Sequence, residues 1–366
     1  MLKTLWNKFF PGSPGKRFAA WQVELTSRCP LQCRMCSRTA YKDFFKDDMS
    51  LEDFKKLLPF LSEAEAVVLE GWGESLLHKH LIECIRLAKQ EGPRAGFVTS
   101  GMGLNEAYIS ELLKAGVDFM GFSLSGATAK THNYIRVNSD LDELVKNIHA
   151  LQEMKARENL VNPQLHIVYL LLKENVREVP ALIQLAQDLG IQEVILIHLS
   201  HVSNAWQEEE KLFCTDGLDD FERILQEAEE KAREGKITLH CPSLSPREIE
   251  VCAEDPLRNL YIAVDGAVSP CVYLNPPVPT PFKRIFQGRE FQVEKVSFGN
   301  LFRKPLDRLW KDRDYAHFRE CFARRKSHFD EISTSLWDPD RLKGLRNSPP
   351  PPSPEPCRTC YKMLGL

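Results

Sequence analysis

The chain is 366 residues long, 43 % hydrophobic and 27 % charged, a mixture that fills at least one large core and allows two domains. Its 48 Lys and Arg against 51 Asp and Glu give a net charge of -3, which excludes the broad basic field that holds nucleic acid. No run of about eighteen apolar residues occurs, so no membrane span is expected.

The opening MLKTLWNKFFPG is apolar and slightly basic, but Lys and Asn interrupt it and no small-residue cleavage site follows. Residues 1–20 are therefore expected to form an N-terminal arm, not an export signal. Eleven cysteines without such a signal point to thiols kept reduced in a cytoplasm.

From 21 to 205, short apolar β-rich runs alternate with helical periodicity. The runs are WQVELT, AVVLEG, GFVTSG, FMGFSLS, QLHIVYLLL and EVILIHL. Between them, 50–65, 76–92, 105–116, 141–158 and 175–190 carry helical patterns, the first opening on Ser50 with Asp53 three residues on. Such alternation implies parallel strands joined by right-handed crossovers, and the continuous apolar runs fit strands covered on both faces. Six units fit an α/β fold with a partial (β/α)6 barrel of the TIM type; periodicity alone leaves a doubly wound sheet open.

After about residue 205 the pattern changes. Residues 206–240 read as an acidic, helix-rich connector running into the short strand ITLHC. The last segment, 241–366, contains LYIAVDGAVSPCVYL, a predicted hairpin with Asp265-Gly266 as a type I′ turn. A mixed-charge helix over 305–326 follows, then the stiff SPPPPSPEP and a terminal CRTC.

The cysteines carry the chemistry. TSRCPLQCRMCSR puts Cys29, Cys33 and Cys36 into eight positions after the first strand, where parallel sheets bind ligands. A structural zinc wants four protein ligands, and the nearest histidines are His78 and His80. A redox CxxC leaves Cys29 unexplained. A cubane held by three thiolates, with one iron open for a small chelating molecule, satisfies the count.

CxxxCxxC after a first strand, on a six-fold βα scaffold, resembles the radical S-adenosylmethionine superfamily. The resemblance implies a [4Fe-4S] cluster whose open iron chelates S-adenosylmethionine, and cleavage to a 5′-deoxyadenosyl radical that abstracts a substrate hydrogen. Met35 stands where an aromatic often lies against the adenine, and Pro30 where Asn is common. In LEGWGES, Gly71, Gly73 and Glu74 match the family's Gly-Gly-Glu-Pro motif, whose backbone meets the cofactor's ammonium; Trp72 and Ser75 replace Gly and Pro. The fourth-strand segment offers Ser125, or Ser123 on the same strand face, for a ribose hydroxyl and Arg136 for the carboxylate. Thr99 to Gly101 stands where Thr-Asn-Gly is frequent.

Cys252, Cys271, Cys357 and Cys360, with the DGAVSPC hairpin, resemble a small C-terminal β-hairpin and helix domain of the twitch or SPASM kind. That implies an auxiliary [4Fe-4S] cluster; a four-cysteine zinc knot is the alternative, and Cys241 could replace a ligand. Cys84 and Cys321 read as structural thiols and Cys214 as incidental. His198 and His201 fall at the last barrel strand's end and read as satisfied polar contacts.

The nearest resemblance is to the group that modifies the cofactor of tungsten-containing aldehyde ferredoxin oxidoreductase. It implies a cofactor precursor as substrate and a reduced ferredoxin or flavodoxin as electron donor. Peptide maturation is the second reading. A non-catalytic iron–sulfur or zinc protein is the third, though it would need neither GWGE nor Arg136.

Overall fold

The computed structural model describes residues 15–213, 217–335, 337, 343, 345 and 348–366; most of the expected N-terminal arm and Cys214 lie outside the described residues. Strands β1 (Phe18–Val23), β2 (Ala64–Val68), β3 (Arg94–Thr99), β4 (Phe119–Leu124), β5 (Gln164–Leu171) and β6 (Glu193–His198) pair in parallel in chain order. Helices α1 (Ser37–Ala40), α2 (Leu51–Lys55) and α3 (Leu58–Leu61) follow β1, and α4 (Leu81–Gln90) and α5 (Glu106–Ala115) follow β2 and β3. Helices α6 (Ala129–Ile135) and α7 (Leu141–Arg157) follow β4, α8 (Val179–Asp188) follows β5, and α9 (Ala205–Glu210) and α10 (Leu218–Glu234) follow β6. This is the expected α/β architecture.

Three further strands extend the same sheet. β7 (Thr238–His240) runs parallel to β6 at one edge, while β8 (Asn259–Ile262) runs parallel to β1 and carries antiparallel β9 (Val268–Ser269) at the other. Among the described residues no ladder joins β7 to β9, so the barrel stays open between them. A separate hairpin of β10 (Phe282–Phe286) and β11 (Arg289–Val293) precedes α11 (Leu306–Trp310) and α12 (Arg313–Thr334).

Local chemistry explains the departures from expectation. β1 starts at Phe18, before Trp21, because Ala19 and Ala20 are buried yet carry little β signal. The helix expected over 50–65 splits, with Pro59, which lacks an N–H, in the first turn of the second piece. The β8–β9 turn is not type I′. The Gly266 N–H bonds the Ala263 carbonyl at 2.8 Å and Gly266 alone is left-handed, at φ 82°, so three residues close the loop.

The main core, with Trp21, Phe54, Phe97, Phe122 and Tyr169 fully buried, lies between sheet and helices. Two smaller apolar clusters sit beyond it. One gathers Leu31, Cys33 and Met35 with Phe213, Tyr361 and Leu366; the other gathers Cys252 and Cys357 with Leu274, Phe318 and Phe322.

Helix α7 is fixed at its start by Asp140, whose side chain accepts from the N–H groups of Asp142 and Glu143 at 2.9 and 3.2 Å. Asp140→Ala is expected to cost about 1 kcal/mol of stability, read as a lower denaturant midpoint with an unchanged slope.

Candidate active site

The loop after β1 is held from several sides. Its backbone N–H groups at Gln32 and Arg34 donate to the carbonyls of Val137 and Ile135, both at 2.9 Å. Thr39 Oγ1 donates to the carbonyls of Cys33 and Cys36 at 3.0 and 2.7 Å, fixing the CxxC turn. Cys33 is buried, with Cys29 and Cys36 half-buried beside it. Burial pushes the Cys29 thiol up to about 11 and the Cys33 thiol upward as well. Such thiols stay protonated unless a positive centre offsets the cost.

The surroundings fit such a centre. Arg136 and Arg38 both oppose the rise at Cys33, and the Arg38 Nε–H is buried without a partner. Among the described residues no three His, Cys, Asp or Glu side chains close round one metal ion. A cubane does not ask for that, because its thiolates bind different irons.

The GWGE turn is pressed onto this loop. A Cβ on Gly73 would fall 2.3 Å from the Thr26 carbonyl oxygen, and one on Gly71 would fall 2.4 Å from Glu24 Cγ. Only glycine permits that approach. The Glu74 N–H donates to the Arg28 carbonyl at 2.8 Å. Its buried carboxylate accepts from Thr99 Oγ1 at 2.6 Å and from the Ser100 N–H and Oγ at 2.8 and 2.6 Å. Glu74 thus braces the turn, while Trp72 turns its backbone N–H to Glu24 Oε1 at 2.8 Å.

Across the barrel, Arg136 at the end of α6 donates through Nε to Ser125 Oγ at 3.0 Å. Ser125 is fully buried, whereas Ser123 is half-buried and faces the cavity. Met35 is buried and its carbonyl accepts from Gln207 Nε2 at 3.1 Å.

These elements border a cavity of about 850 Å³. Gly71, Ser123 and Arg136 line it, with Trp72, His198 and, from the chain's last turn, Lys362. Glu70 lines it too, pushed up to about 8 by burial and then by the charges of Glu254 and Glu74, so near neutral pH it presents mostly a protonated carboxyl. His198 Nε2 lies 2.8 Å from the Ser243 carbonyl, and burial lowers its pKa to about 4. His201 instead bonds Tyr41 and stacks on Tyr273, with ring centroids 5.7 Å apart. Sequence reading missed Glu70 and Lys362; their only signals were adjacency to GWGE and to the terminal CxxC.

The second cysteine set also assembles. Cys252, Cys271, Cys357 and Cys360 are near enough for thiolate charge on one to raise the pKa of others, although burial is the first cause; it pushes Cys252 up to about 12. Cys241 lies elsewhere, in the main core, where burial and then Glu229 raise its thiol to about 12. Cys84 is in the same core, and Cys321 is half-buried on α12. The proline run is held by the buried Arg325, which donates to the Pro351 carbonyl and pairs with Glu248.

The sequence matches the radical SAM superfamily over residues 23–186 and the SPASM iron-sulfur cluster-binding domain over 252–361. The chain is a radical S-adenosylmethionine enzyme. It works with a [4Fe-4S] cluster and S-adenosylmethionine, and its SPASM domain carries an auxiliary iron–sulfur cluster.

Among its relatives is the tungsten-containing aldehyde ferredoxin oxidoreductase cofactor-modifying protein of Pyrococcus furiosus. The two are 26 % identical over 308 residues, 81 % of this chain and 82 % of that protein. The PqqA peptide cyclase of Bradyrhizobium diazoefficiens is 26 % identical over 259 residues, 68 % of this chain and 65 % of that protein. In fold, the chain is similar to Streptococcus suis SuiB bound to S-adenosylmethionine, at a TM-score of 0.61 and 13 % identity, covering 87 % of this chain and 71 % of that one.

Gly73→Ala is expected to weaken S-adenosylmethionine binding at least tenfold, because the methyl group displaces the turn from the cysteine loop. Calorimetry on the reconstituted protein measures it, with iron content checked in the same sample.

Proposed function

We propose that this enzyme modifies a small cofactor precursor by hydrogen abstraction. Cys29, Cys33 and Cys36 would hold the first cluster. Once reduced, that cluster would supply one-electron reducing chemistry to the sulfonium of bound S-adenosylmethionine, whose C5′–S bond would break to give methionine and the 5′-deoxyadenosyl radical. The observation that carries the reading is Arg136, a cation on the cavity wall that bonds Ser125 and acts electrostatically on Cys33. It would take the cofactor's carboxylate, the backbone at Gly71, Gly73 and Glu74 its ammonium, Ser123 and Ser125 a ribose hydroxyl, and Met35 the adenine. Cys252, Cys271, Cys357 and Cys360 would ligate the auxiliary cluster.

The substrate class rests on the likeness to the cofactor-modifying relative over 81 % of this chain, and on a cavity of small-molecule size. The likeness to PqqA peptide cyclase favours peptide maturation as the second reading. The working division is an arm over 1–20, a barrel over 21–205, a connector over 206–240 and the auxiliary-cluster domain over 241–366. A reduced ferredoxin or flavodoxin would donate the electron, in a cytoplasm that keeps the thiols reduced. Among the described residues no helix is long and apolar enough to cross a membrane.

Anaerobically reconstituted protein is expected to change its reduced-state electron paramagnetic resonance spectrum when S-adenosylmethionine is added, and to form 5′-deoxyadenosine with dithionite. Cys33→Ala should abolish that product; its persistence would sink the ligand assignment. Arg136→Ala should keep the cluster and weaken cofactor binding by about 1.5–3 kcal/mol, the worth of a hydrogen bond to a charged group.

Cell extract that stimulates 5′-deoxyadenosine formation equally well after exhaustive protease digestion supports a cofactor precursor. Stimulation lost on digestion moves the assignment to a peptide.

A further inference from the structure

Among the described residues, buried positive charge is balanced locally with one exception. Among the described residues four Lys or Arg side chains are buried: Lys211, Arg284, Arg325 and Lys362. Lys211 pairs with Glu208 at 2.8 Å, Arg325 with Glu248 at 2.9 Å and Lys362 with Glu254 at 2.8 Å. Arg284, 1 % exposed, has no carboxylate among the described residues. Its Nη1 donates to the Pro356 carbonyl at 3.0 Å and its Nη2 to the Tyr273 carbonyl at 3.2 Å. The Nε–H is buried with no partner at all.

Those two carbonyls locate the charge. Pro356 immediately precedes Cys357 and Tyr273 follows Cys271 by two residues, so the guanidinium bridges the segments that bring these thiols together. The Phe282 ring, centred 5.5 Å from the guanidinium carbon, packs against it. Arg284 also opposes the burial-driven rise at Cys357. A guanidinium does not discharge by losing a proton, so a dry site that holds one is strongly unfavourable unless it also holds an anion. Neutral thiols supply no anion. Four thiolates on an iron–sulfur centre do.

We propose that Arg284 is the counter-charge of the auxiliary cluster and sets its reduction potential. The inference rests on Cys252, Cys271, Cys357 and Cys360 being that cluster's ligands. Reduction brings one electron, and so one more negative charge, beside a fixed cation with a free N–H. Net charge and hydrogen bonds near the sulfurs are the levers on such potentials. Arg284 therefore favours the reduced state and makes the centre a better electron acceptor.

The full chain with Cys29, Cys33 and Cys36 changed to Ala isolates the auxiliary centre for an anaerobic dithionite titration followed by electron paramagnetic resonance. In that background R284Q is expected to retain about four irons per chain. It should be at least tenfold harder to reduce, a shift of about 59 mV to more negative potential for one electron. R284K, which keeps the charge, should fall between it and the parent.

Iron retained in R284Q with an unchanged potential overturns the proposal, as does an R284K as hard to reduce as R284Q. If R284Q loses its iron, iron kept by R284K supports a counter-charge. Iron lost from both variants assigns Arg284 to shape and hydrogen bonding alone and overturns the proposal. A parent without iron overturns the ligand set, and the proposal with it, before any Arg284 variant is made.

Discussion

The site depends on one buried carboxylate. Glu74 takes hydrogen bonds from Thr99 and Ser100 at the end of β3, while its own N–H reaches the Arg28 carbonyl in the cysteine loop. Three consecutive βα connections are thereby locked to one another. A carboxylate at 5 % exposure would be costly alone, but three donors to its oxygens from β3's end replace the water it loses. The glycines on either side of Trp72 follow from the same constraint, since a turn drawn this close to the cysteine loop has no room for a Cβ.

A second theme is charge in dry places. Burial raises the Cys29 and Cys33 thiols of the first cysteine set and the Cys252, Cys271 and Cys357 thiols of the second, and each set has an arginine nearby whose field opposes the rise. The bare protein is thus a set of reluctant acids beside fixed cations, an arrangement that favours binding an anionic, metal-centred group. Glu24, pushed up to about 7 by burial against the donation from Trp72, and Glu70, at about 8, keep the adjoining cavity less anionic than its composition suggests.

The two cysteine regions are not independent bodies. β8 and β9 extend the barrel sheet beyond β1, so the segment carrying Cys252 and Cys271 is fixed by backbone pairing to the strand that leads into Cys29. The residues after Cys360 return toward the first site. Tyr361 and Leu366 pack with Leu31, Cys33 and Met35, and Lys362 and Leu364 line the cavity. One cavity wall thus comes from each region.

The sequence by itself was enough for whatever is local. The six βα units were legible because each strand and helix carries its own periodicity, and the first cysteine set because three thiols on one short loop can face one centre only. The same local signals misjudged β1, where alanines hide a buried strand, and the β8–β9 turn, where a third loop residue leaves Gly266 alone in the left-handed region. Tertiary structure decided the rest. Spacing could not say whether Cys241 or Cys321 joins Cys252, Cys271, Cys357 and Cys360, because the four meet only after the sheet, α12 and the proline run have packed. Nor could it single out Arg284 from 48 Lys and Arg, or pair Lys362 with Glu254. Burial and charge pairing between residues a hundred positions apart are properties of the folded volume, and a linear pattern carries no record of them.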